Sequence, residues 1–370
     1  MMRRILLALL VLNSSLSAFA EDLRIGVPAA QVEAIDAAIA EQIQKQSLIG
    51  VAVGYLSDGQ LVFTKGYGLA DLQKEIPVSS DTVFNWASNS KPVAALIAMQ
   101  LWEQQRLDLD RDVRDYVPEF PKKKYPVTTR LILAHQSGIP HYTNGKIIPA
   151  EDYEPGDSSH DPVVAIGTFC HSPLIFEPGE RYSYSSYAYV LLSAVCQRAA
   201  KQPFEELVRD RVARPLKLTS LQWDVATADQ PHWSRGYYTG PLSMVLATPE
   251  QAHFWKHGAG GFKSNIVDFG RWAEAVLNQR LIRQETWKEM MTTPKPRNGS
   301  HPKMALGINV EGEGESLKLS HSGSQGEARS RMVVYPNQRH GMVVLTNSSH
   351  ADVSAITTAV YRALQQVSAK

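Results

Sequence analysis

The sequence of 370 residues has few cysteines, little net charge and no long apolar run, and each scarcity excludes a class of protein. Two Cys are too few for a disulfide scaffold, and 24 Gly and 21 Pro without a period exclude a collagen-like chain. With 38 Lys and Arg against 37 Asp and Glu, the formal charge is +1, so we expect no nucleic-acid partner and no charge-driven membrane binding. What remains is an ordinary globular composition, 44% hydrophobic, in a chain long enough for one large or two ordinary domains.

The first twenty residues have the pattern of a cleavable secretory signal. Arg3 and Arg4 precede an apolar run over 5–12, and Ala18-Phe19-Ala20 supplies a small-residue cleavage site. The alternative, a membrane anchor, needs about 20 apolar residues, and this run is too short. We therefore expect residues 1–20 to be removed and the mature chain, with 36 basic and 37 acidic side chains, to be exported to the periplasm or secreted. No stable membrane span is expected after processing.

The two cysteines have two interpretations in an exported protein. Cys170 and Cys196 can form a disulfide, which would stabilise the fold by roughly 3–4 kcal/mol through loop closure, or they can remain small unpaired side chains in the core. The sequence leaves both open. Neither cysteine belongs to a CxxC pair, and His253 and His257 lack the HExxH context of a zinc site, so we expect no metal and no cofactor.

Apolar periodicity near the start of the chain predicts a helix followed by a hairpin. Apolar residues recur at three- and four-residue spacing over 32–43, which indicates an amphipathic helix. The apolar runs 51–56 and 60–64 flank Asp58-Gly59, a pair that is typical of a tight β-hairpin turn.

The other end of the chain predicts more strands and a closing helix. These predicted elements are three strand-like runs, at 317–320, 332–335 and 342–346, and a helix over 353–364. The predicted fold class is therefore α/β (α+β): an antiparallel sheet from both chain ends, flanked by helices, with an inserted mainly helical region. The corresponding domains are 21–115 plus 265–370 for the sheet, and 116–264 for the insertion.

The first candidate for chemistry is Ser88, which forms an S-x-x-K pattern with Lys91 at the start of an apolar helical run. Positions three apart lie on one face of a helix, so the amine is expected near the hydroxyl. A serine hydroxyl needs a base to take its proton, and a lysine can serve only if burial or a nearby cation lowers its pKa from about 10.4.

The S-x-x-K pattern by itself does not identify a catalytic site, because it is short enough to recur by chance. A second copy, Ser300 to Lys303, lies in a stretch rich in Pro, Gly and Asn that does not predict a helix. Two further motifs follow Ser88 in chain order. They are Tyr184-Ser185-Ser186, before an apolar helical run, and His321-Ser322-Gly323, after a strand-like run.

This ordered set resembles the serine β-lactamase and penicillin-binding-protein superfamily, in particular its class C-like branch of serine hydrolases. Within that branch, the sequence is especially similar to the mitochondrial serine β-lactamase-like proteins and their bacterial relatives. The resemblance covers residues 30–365 and implies a β-lactamase/transpeptidase-like fold. Its supporting stretches are 107–110, 116–121, 127–142, 258–261 with Asp268, and 341–347.

The resemblance implies a role for each motif residue. Ser88 would be the nucleophile, Lys91 its proton acceptor, and Tyr184 the group that protonates the leaving group and then activates water. Which of Lys91 and Tyr184 is the principal base stays open, since the two can titrate as a pair. The backbone N–H groups of Ser88 and Ser324 would form the oxyanion hole. The remaining candidates are His321 in the catalytic group, and Ser186, Ser322 and Gly323 at the substrate.

Two departures from the motifs of the family bear on the substrate. Ser186 stands where the second motif usually has Asn, and His321 stands where true β-lactamases have the Lys of Lys-Thr-Gly. A neutral histidine is a poorer partner for a β-lactam carboxylate than a permanent cation. We therefore expect an exported serine hydrolase of the peptidase or esterase type, acting on an amide or ester bond in a peptide or small molecule. The alternatives are a true β-lactamase and a non-catalytic binding or filament-forming relative.

One more cation is a candidate for contact with the substrate. Arg329 is the best remaining partner for a substrate carboxylate, although a structural salt bridge explains it equally well. No feature of the sequence predicts the oligomeric state.

Overall fold

The computed structural model describes residues 22–153, 160–224, 232–239, 245–247 and 254–368. The predicted signal at 1–20 and His253 lie outside these residues. Within the described ranges, no helix is both long and apolar enough to cross a membrane.

Most strands lie towards the two ends of the described chain, and most helices lie between them. The helices are α1 (Ala29–Gln46), α2 (Ser90–Glu103), α3 (Thr129–Leu133), α4 (Pro162–Ala165), α5 (Ser186–Ala200), α6 (Phe204–Val208), α7 (Arg214–Leu216), α8 (Ile266–Leu277), α9 (Gln284–Met290) and α10 (Val353–Ser368). The strands are β1 (Gly50–Ser57), β2 (Gln60–Asp71), β3 (Ile76–Pro77), β4 (Phe84–Asn85), β5 (Gln222–Trp223), β6 (Tyr237–Thr239), β7 (Val245–Ala247), β8 (Phe262–Ser264), β9 (Asn309–Glu311), β10 (Lys318–Gln325), β11 (Ala328–Tyr335) and β12 (His340–Thr346).

The main sheet has seven antiparallel strands in the order β3-β2-β1-β12-β11-β10-β9. The two chain ends meet at its centre, where β1 pairs with β12 and Val51 lies opposite Thr346. The predicted hairpin joins β1 to β2 through Asp58 and Gly59, with φ of 51° and 80°. Positive φ at both central residues is what a two-residue turn of type I′ requires.

The centre of the sheet is buried on both faces, which explains the unbroken apolar runs in the sequence. In β1, Val51 and Val53 belong to the core formed with α1 and α10. Ala52 and Leu56 belong to a second core on the opposite face, formed with α2, α5 and α8. Side chains alternate along a strand, so successive side chains of this run meet first one core and then the other.

The predicted α/β (α+β) class is confirmed, but the strands near the C-terminal end are longer than predicted. The run 317–320 is the start of β10, which continues to Gln325 through polar residues and Gly323. Polar residues do not suggest a buried strand, yet pairing with β11 places Gly323 opposite Ser330 and extends the ladder. Tertiary pairing therefore extends β10 past the end of its apolar pattern.

A small second sheet, in the order β4-β8-β5, carries the chain into the segment around Ser88. Its strands have two or three residues each, too few for apolar alternation to predict them. The boundaries drawn at 115/116 and 264/265 stay a prediction.

The two cysteines are free and buried. Of the two interpretations, the structure therefore shows the unpaired one. Burial raises the pKa of both the Cys170 and the Cys196 thiol, so neither is poised to react as a thiolate at neutral pH.

Truncation in the core between α10 and the sheet tests this packing. Ile356 is fully buried there, so we expect Ile356→Ala to reduce the free energy of unfolding by about 2–5 kcal/mol, through lost burial and the cavity left behind. Thr358→Ala, at an exposed site on the same helix, is expected to change it by less than about 0.5 kcal/mol. Urea unfolding measures both, and equal effects of the two variants would contradict this packing.

Candidate active site

Ser88 lies in a tight turn that joins β4 to α2. This turn, Ala87–Asn89, is a single 3₁₀ turn, and Ala87 has an unusual positive φ of 48°. The side-chain oxygen of Asn85 accepts the N–H of Ala87 at 2.6 Å, and the Ser90 hydroxyl donates to the Ala87 carbonyl at 2.9 Å. These bonds hold a backbone conformation that a non-glycine residue adopts only at a cost, next to the candidate nucleophile.

Lys91 is one helical turn from Ser88 and is fully buried. Its Nζ donates to Ser88 Oγ at 3.1 Å, to Ser186 Oγ at 3.2 Å and to the carbonyl of Ala259. All three partners are neutral. Burial, followed by the charge of Lys256, lowers the pKa of Lys91 well below its usual value, so the amine can be neutral and accept a proton.

Tyr184 approaches Ser88 from the segment before α5. Its hydroxyl donates to Ser88 Oγ at 2.7 Å. Burial raises the pKa of Tyr184 above its usual value, although hydrogen bonds with the side chains of Ser88 and Ser186 oppose the rise. The phenol therefore keeps its proton at neutral pH, which makes Lys91 the better acceptor of the two.

Two histidines hold the segment around Tyr184 in place. Nδ1 of His135 accepts the backbone N–H of Ser185 at 3.1 Å, and Nδ1 of His141 accepts that of Ser186 at the same distance. The His135 ring also lies 4.3 Å from the ring of Tyr184, centroid to centroid. Both histidines fall within the stretch 127–142 that carried the family resemblance, but the sequence predicted no role for either.

The third motif is brought to Ser88 by the close packing of β10 on the turn. A Cβ on Gly323 would lie 2.3 Å from the carbonyl oxygen of Trp86 and 3.0 Å from the Cβ of Ala87, so only glycine allows this approach. With its amide turned to satisfy its neighbours, buried Asn89 donates to the His321 carbonyl and accepts the N–H of Gly323, both at 3.3 Å.

His321 is buried and neutral. Its Nδ1 lies 3.0 Å from the carbonyl oxygen of Ser322, which requires the proton on Nδ1 and leaves Nε2 as an acceptor. Within the described ranges, Nε2 is buried and has no hydrogen-bond partner. Burial lowers the pKa of His321 to about 3, so this ring does not supply the cation found at the same place in true β-lactamases.

A cleft of about 710 Å³ opens onto these groups. Of the predicted site residues, five line it: Ser88, Tyr184, His321, Ser322 and Ser324. Lys91 and Ser186 lie behind Ser88 and are hydrogen-bonded to each other. The other S-x-x-K pattern is not part of this site, because Ser300 is exposed and Lys303 pairs with Glu311.

The remaining sequence candidates have other surroundings. The 258–261 stretch contributes the Ala259 carbonyl to Lys91, as a turn beside the site. His257 is buried between the rings of Phe204 and Trp223. In the part of the chain that the structure describes, no group of three His, Cys, Asp or Glu could hold a metal ion.

Sequence comparison finds a family and several curated relatives, among them a human and a staphylococcal protein. Residues 35–366 match the family described as Beta-lactamase. The chain is 27% identical to the human mitochondrial serine beta-lactamase-like protein LACTB, over 78% of this chain and 69% of that protein. It is 26% identical to protein flp of Staphylococcus aureus, over 85% of this chain and 62% of flp, so it spans less than two thirds of that relative.

Structural comparison finds the same fold. A D-amino acid amidase from Ochrobactrum anthropi SV3, solved with L-phenylalanine, superposes with a TM-score of 0.75 at 20% identity. The match covers 91% of this chain and 99% of the amidase. At this identity, the likeness shows a shared fold alone.

The neutral state of His321 makes a prediction for stability. Its pKa of about 3 in the folded chain lies below the ordinary 6.5, so between these pH values the unfolded chain binds a proton that the folded chain excludes. Stability therefore falls as the pH falls from about 6.5 towards 3, by up to about 1.4 kcal/mol per pH unit for this group. We expect His321→Gln to flatten the fall, measured by urea unfolding at pH 6.5, 5 and 4. His301→Gln, at an exposed histidine, is the control, and equal slopes in the two variants would refute the prediction.

Proposed function

The chain belongs to the beta-lactamase family, whose members are serine hydrolases, and we propose that it cleaves amide or ester bonds through an acyl-enzyme on Ser88. One observation carries the proposal: Lys91 Nζ and Tyr184 Oη converge on the Ser88 hydroxyl, at 3.1 and 2.7 Å. A nucleophile with both a proton acceptor and a proton donor within hydrogen-bond reach is what covalent catalysis needs.

In the proposed acylation, Ser88 Oγ attacks the carbonyl carbon while neutral Lys91 takes its proton. The backbone N–H groups of Ser88 and Ser324 stabilise the oxyanion. When the tetrahedral intermediate collapses, Tyr184 gives its proton to the leaving group. Water then attacks the acyl-enzyme by the reverse route. The Tyr184 phenolate takes a proton from water, the bond between Ser88 Oγ and the acyl carbon breaks, and protonated Lys91 returns the proton to Ser88.

Ser186 has a proposed role in moving a proton between Lys91 and Tyr184, in either direction. Its hydroxyl accepts from Lys91 Nζ at 3.2 Å and also hydrogen-bonds with Tyr184. A hydroxyl can donate and accept at once, so it can pass the proton of Lys91 to the phenolate that forms when Tyr184 protonates the leaving group. This places a relay where the family motif usually has the amide of Asn.

The proposed substrate class is a peptide or small molecule with a scissile amide or ester, and the D-amino-acid and cell-wall peptides are the leading candidates. The shared fold with a D-amino acid amidase supports an amide substrate. The pattern of residues 1–20 supports export, and therefore a periplasmic or secreted enzyme.

A true β-lactamase is the alternative enzyme, and His321 is the observation against it. A buried, neutral ring does not attract the β-lactam carboxylate as a lysine would. A non-catalytic binding or filament-forming protein is the other alternative. The bonds that Lys91 and Tyr184 make to Ser88 argue for catalysis, because a binding protein has no need of them.

Covalent labelling tests the nucleophile. We expect a fluorophosphonate to add one label to the mature protein, seen by intact mass. We expect Ser88→Ala to abolish it, because Ser88 contacts Lys91 and also lines the cleft, whereas Ser186, the other serine in contact with Lys91, lies behind it. Ser300→Ala, in the other S-x-x-K pattern, is the matched control and is expected to label normally. An unlabelled protein, or a label that survives Ser88→Ala, would overturn the proposed function.

The two motif departures make a prediction for penicillin. We expect the double variant Ser186→Asn, His321→Lys to acylate with a labelled penicillin at least about 10-fold faster than the natural chain, because it gains an amide and a cation for the β-lactam. Adduct mass over time gives the rate, and Ser88→Ala in the double variant gives the background. An unchanged rate would mean that these positions do not set the preference.

A further inference from the structure

Two cations line the cleft beside Ser88 without a carboxylate partner. They are Lys256 and Arg329, and neither has a carboxylate within 4 Å among the described residues. We propose that they bind a carboxylate on the acyl part of the substrate. This inference rests on the proposed function and names its substrate class.

The side chain of Lys256 runs alongside the turn that carries Ser88. A Cβ built on Gly260 would lie 3.6 Å from Lys256 Cδ and 3.6 Å from the carbonyl carbon of Ala87, the residue before Ser88. The amine then lies 5.9 Å from the ring centre of Tyr142 and 5.5 Å from that of Trp255. Lys256 is therefore a half-buried cation held between aromatic rings at the wall of the cleft.

Arg329 lies on the strand opposite the candidate oxyanion hole. In the β10–β11 register it is the Cα partner of Ser324. Its Nη1 donates to the carbonyls of Gln325 and Ala328, which fixes the guanidinium over the hairpin turn. Nε and Nη2 make no hydrogen bond within the described ranges, so an arginine fork remains open to a ligand.

The nearby carboxylates have other hydrogen-bond partners and act on the two cations only through their charge. Asp224 pairs with Lys263 at 2.7 Å and accepts from Asn85 at 2.5 Å. Glu327 also accepts from Asn85, at 3.3 Å. Burial lowers the pKa of both Lys256 and Arg329, although the charge of Glu327 raises the pKa of both and that of Asp224 raises the pKa of Lys256. The two are therefore partly desolvated cations whose charge these carboxylates compensate only in part. An incoming anion compensates such cations, which favours its binding.

The position of the cations relative to Ser324 points to the acyl part of the substrate. The oxyanion is held at Ser88 and Ser324, and the leaving group must reach Tyr184, its proton donor. The acyl chain then follows β10 past Gln325, where both cations lie. Substrates that fit are half-esters or half-amides of dicarboxylic acids, or acyl groups from acidic amino acids, with the carboxylate a few bonds from the scissile carbonyl.

A pair of matched esters tests this subsite. We would compare kcat/KM for 4-nitrophenyl hydrogen glutarate with that for methyl 4-nitrophenyl glutarate, which has the same leaving group and no charge. We expect the anion to be preferred by about 10-fold or more. Lys256→Met and Arg329→Gln are each expected to lower this ratio several-fold, whereas Lys256→Arg keeps it. Lys288→Met, an exposed lysine on α9, is the matched control and is expected to keep the ratio.

A second pair of esters tests on which side of the scissile bond the carboxylate is bound. It compares 4-nitrophenyl butyrate with 3-carboxy-4-nitrophenyl butyrate, which carries the charge on the leaving group. We expect no preference here that depends on Lys256 or Arg329. Two results would overturn the inference even if both glutarate esters are hydrolysed through Ser88. One is a kcat/KM ratio of the charged to the uncharged ester near one in the natural chain, and the other is a ratio that neither substitution changes.

A binding measurement separates this inference from the proposed function. Calorimetry with monomethyl glutarate on the Ser88→Ala chain needs no turnover. We expect binding that weakens at least about 10-fold when Lys256→Met is added. If neither ester is hydrolysed through Ser88, the proposed function fails and this measurement alone decides the anion site. Absent binding, or binding that Lys256→Met leaves unchanged, would overturn the site.

Discussion

The burial of the Lys91 amine is the constraint on which the rest of the site depends. An amine in water is protonated at neutral pH and cannot take a proton from serine. Here the helix that carries Lys91 is buried from Ser90 to Leu101, and the hydrogen-bond partners of its amine among the described residues are neutral oxygens: two hydroxyls and one carbonyl. A carboxylate at any of these places would stabilise the ammonium and remove the base.

The contacts of Lys91 require residues from distant parts of the chain to meet at one place. The Ala259 carbonyl must reach the amine from the turn 254–259, which packs against both α2 and α5, and Ser186 must stand at the first turn of α5. His135 and His141 keep this turn in place by accepting its backbone N–H groups, which a protonated ring cannot do. Burial lowers the pKa of both histidines, to about 4 for His141, so they stay acceptors at neutral pH. The Lys91 amine and the rings of His135 and His141 therefore have a neutral state in common, and the arrangement of the site depends on it.

The positive charges of the site lie at the wall of the cleft and not at its centre. His321 is neutral where the third motif of true β-lactamases has a lysine, whereas Arg329 is a cation on β11, opposite Ser324, and Lys256 is a cation in the turn 254–259. The inferred selectivity follows from this shift: an anion is attracted to the acyl end and not to the third motif. Lys256 also lowers the pKa of Lys91, so the same charge serves the candidate base and the inferred subsite.

Sequence patterns by themselves determined the fold class, the hairpin at Asp58-Gly59 and the helix over 32–43, because these depend on local periodicity and turn chemistry. They also determined which serine, lysine and tyrosine are the candidates. Tertiary structure alone decided the short strands β4, β5 and β8, the extension of β10, the contacts of the two histidines, and the place of Lys256 at the cleft with no carboxylate of the described residues within 4 Å. These depend on contacts between residues far apart in the chain: burial and partners, not spacing, decide whether a lysine is a neutral base like Lys91 or a cation like Lys256.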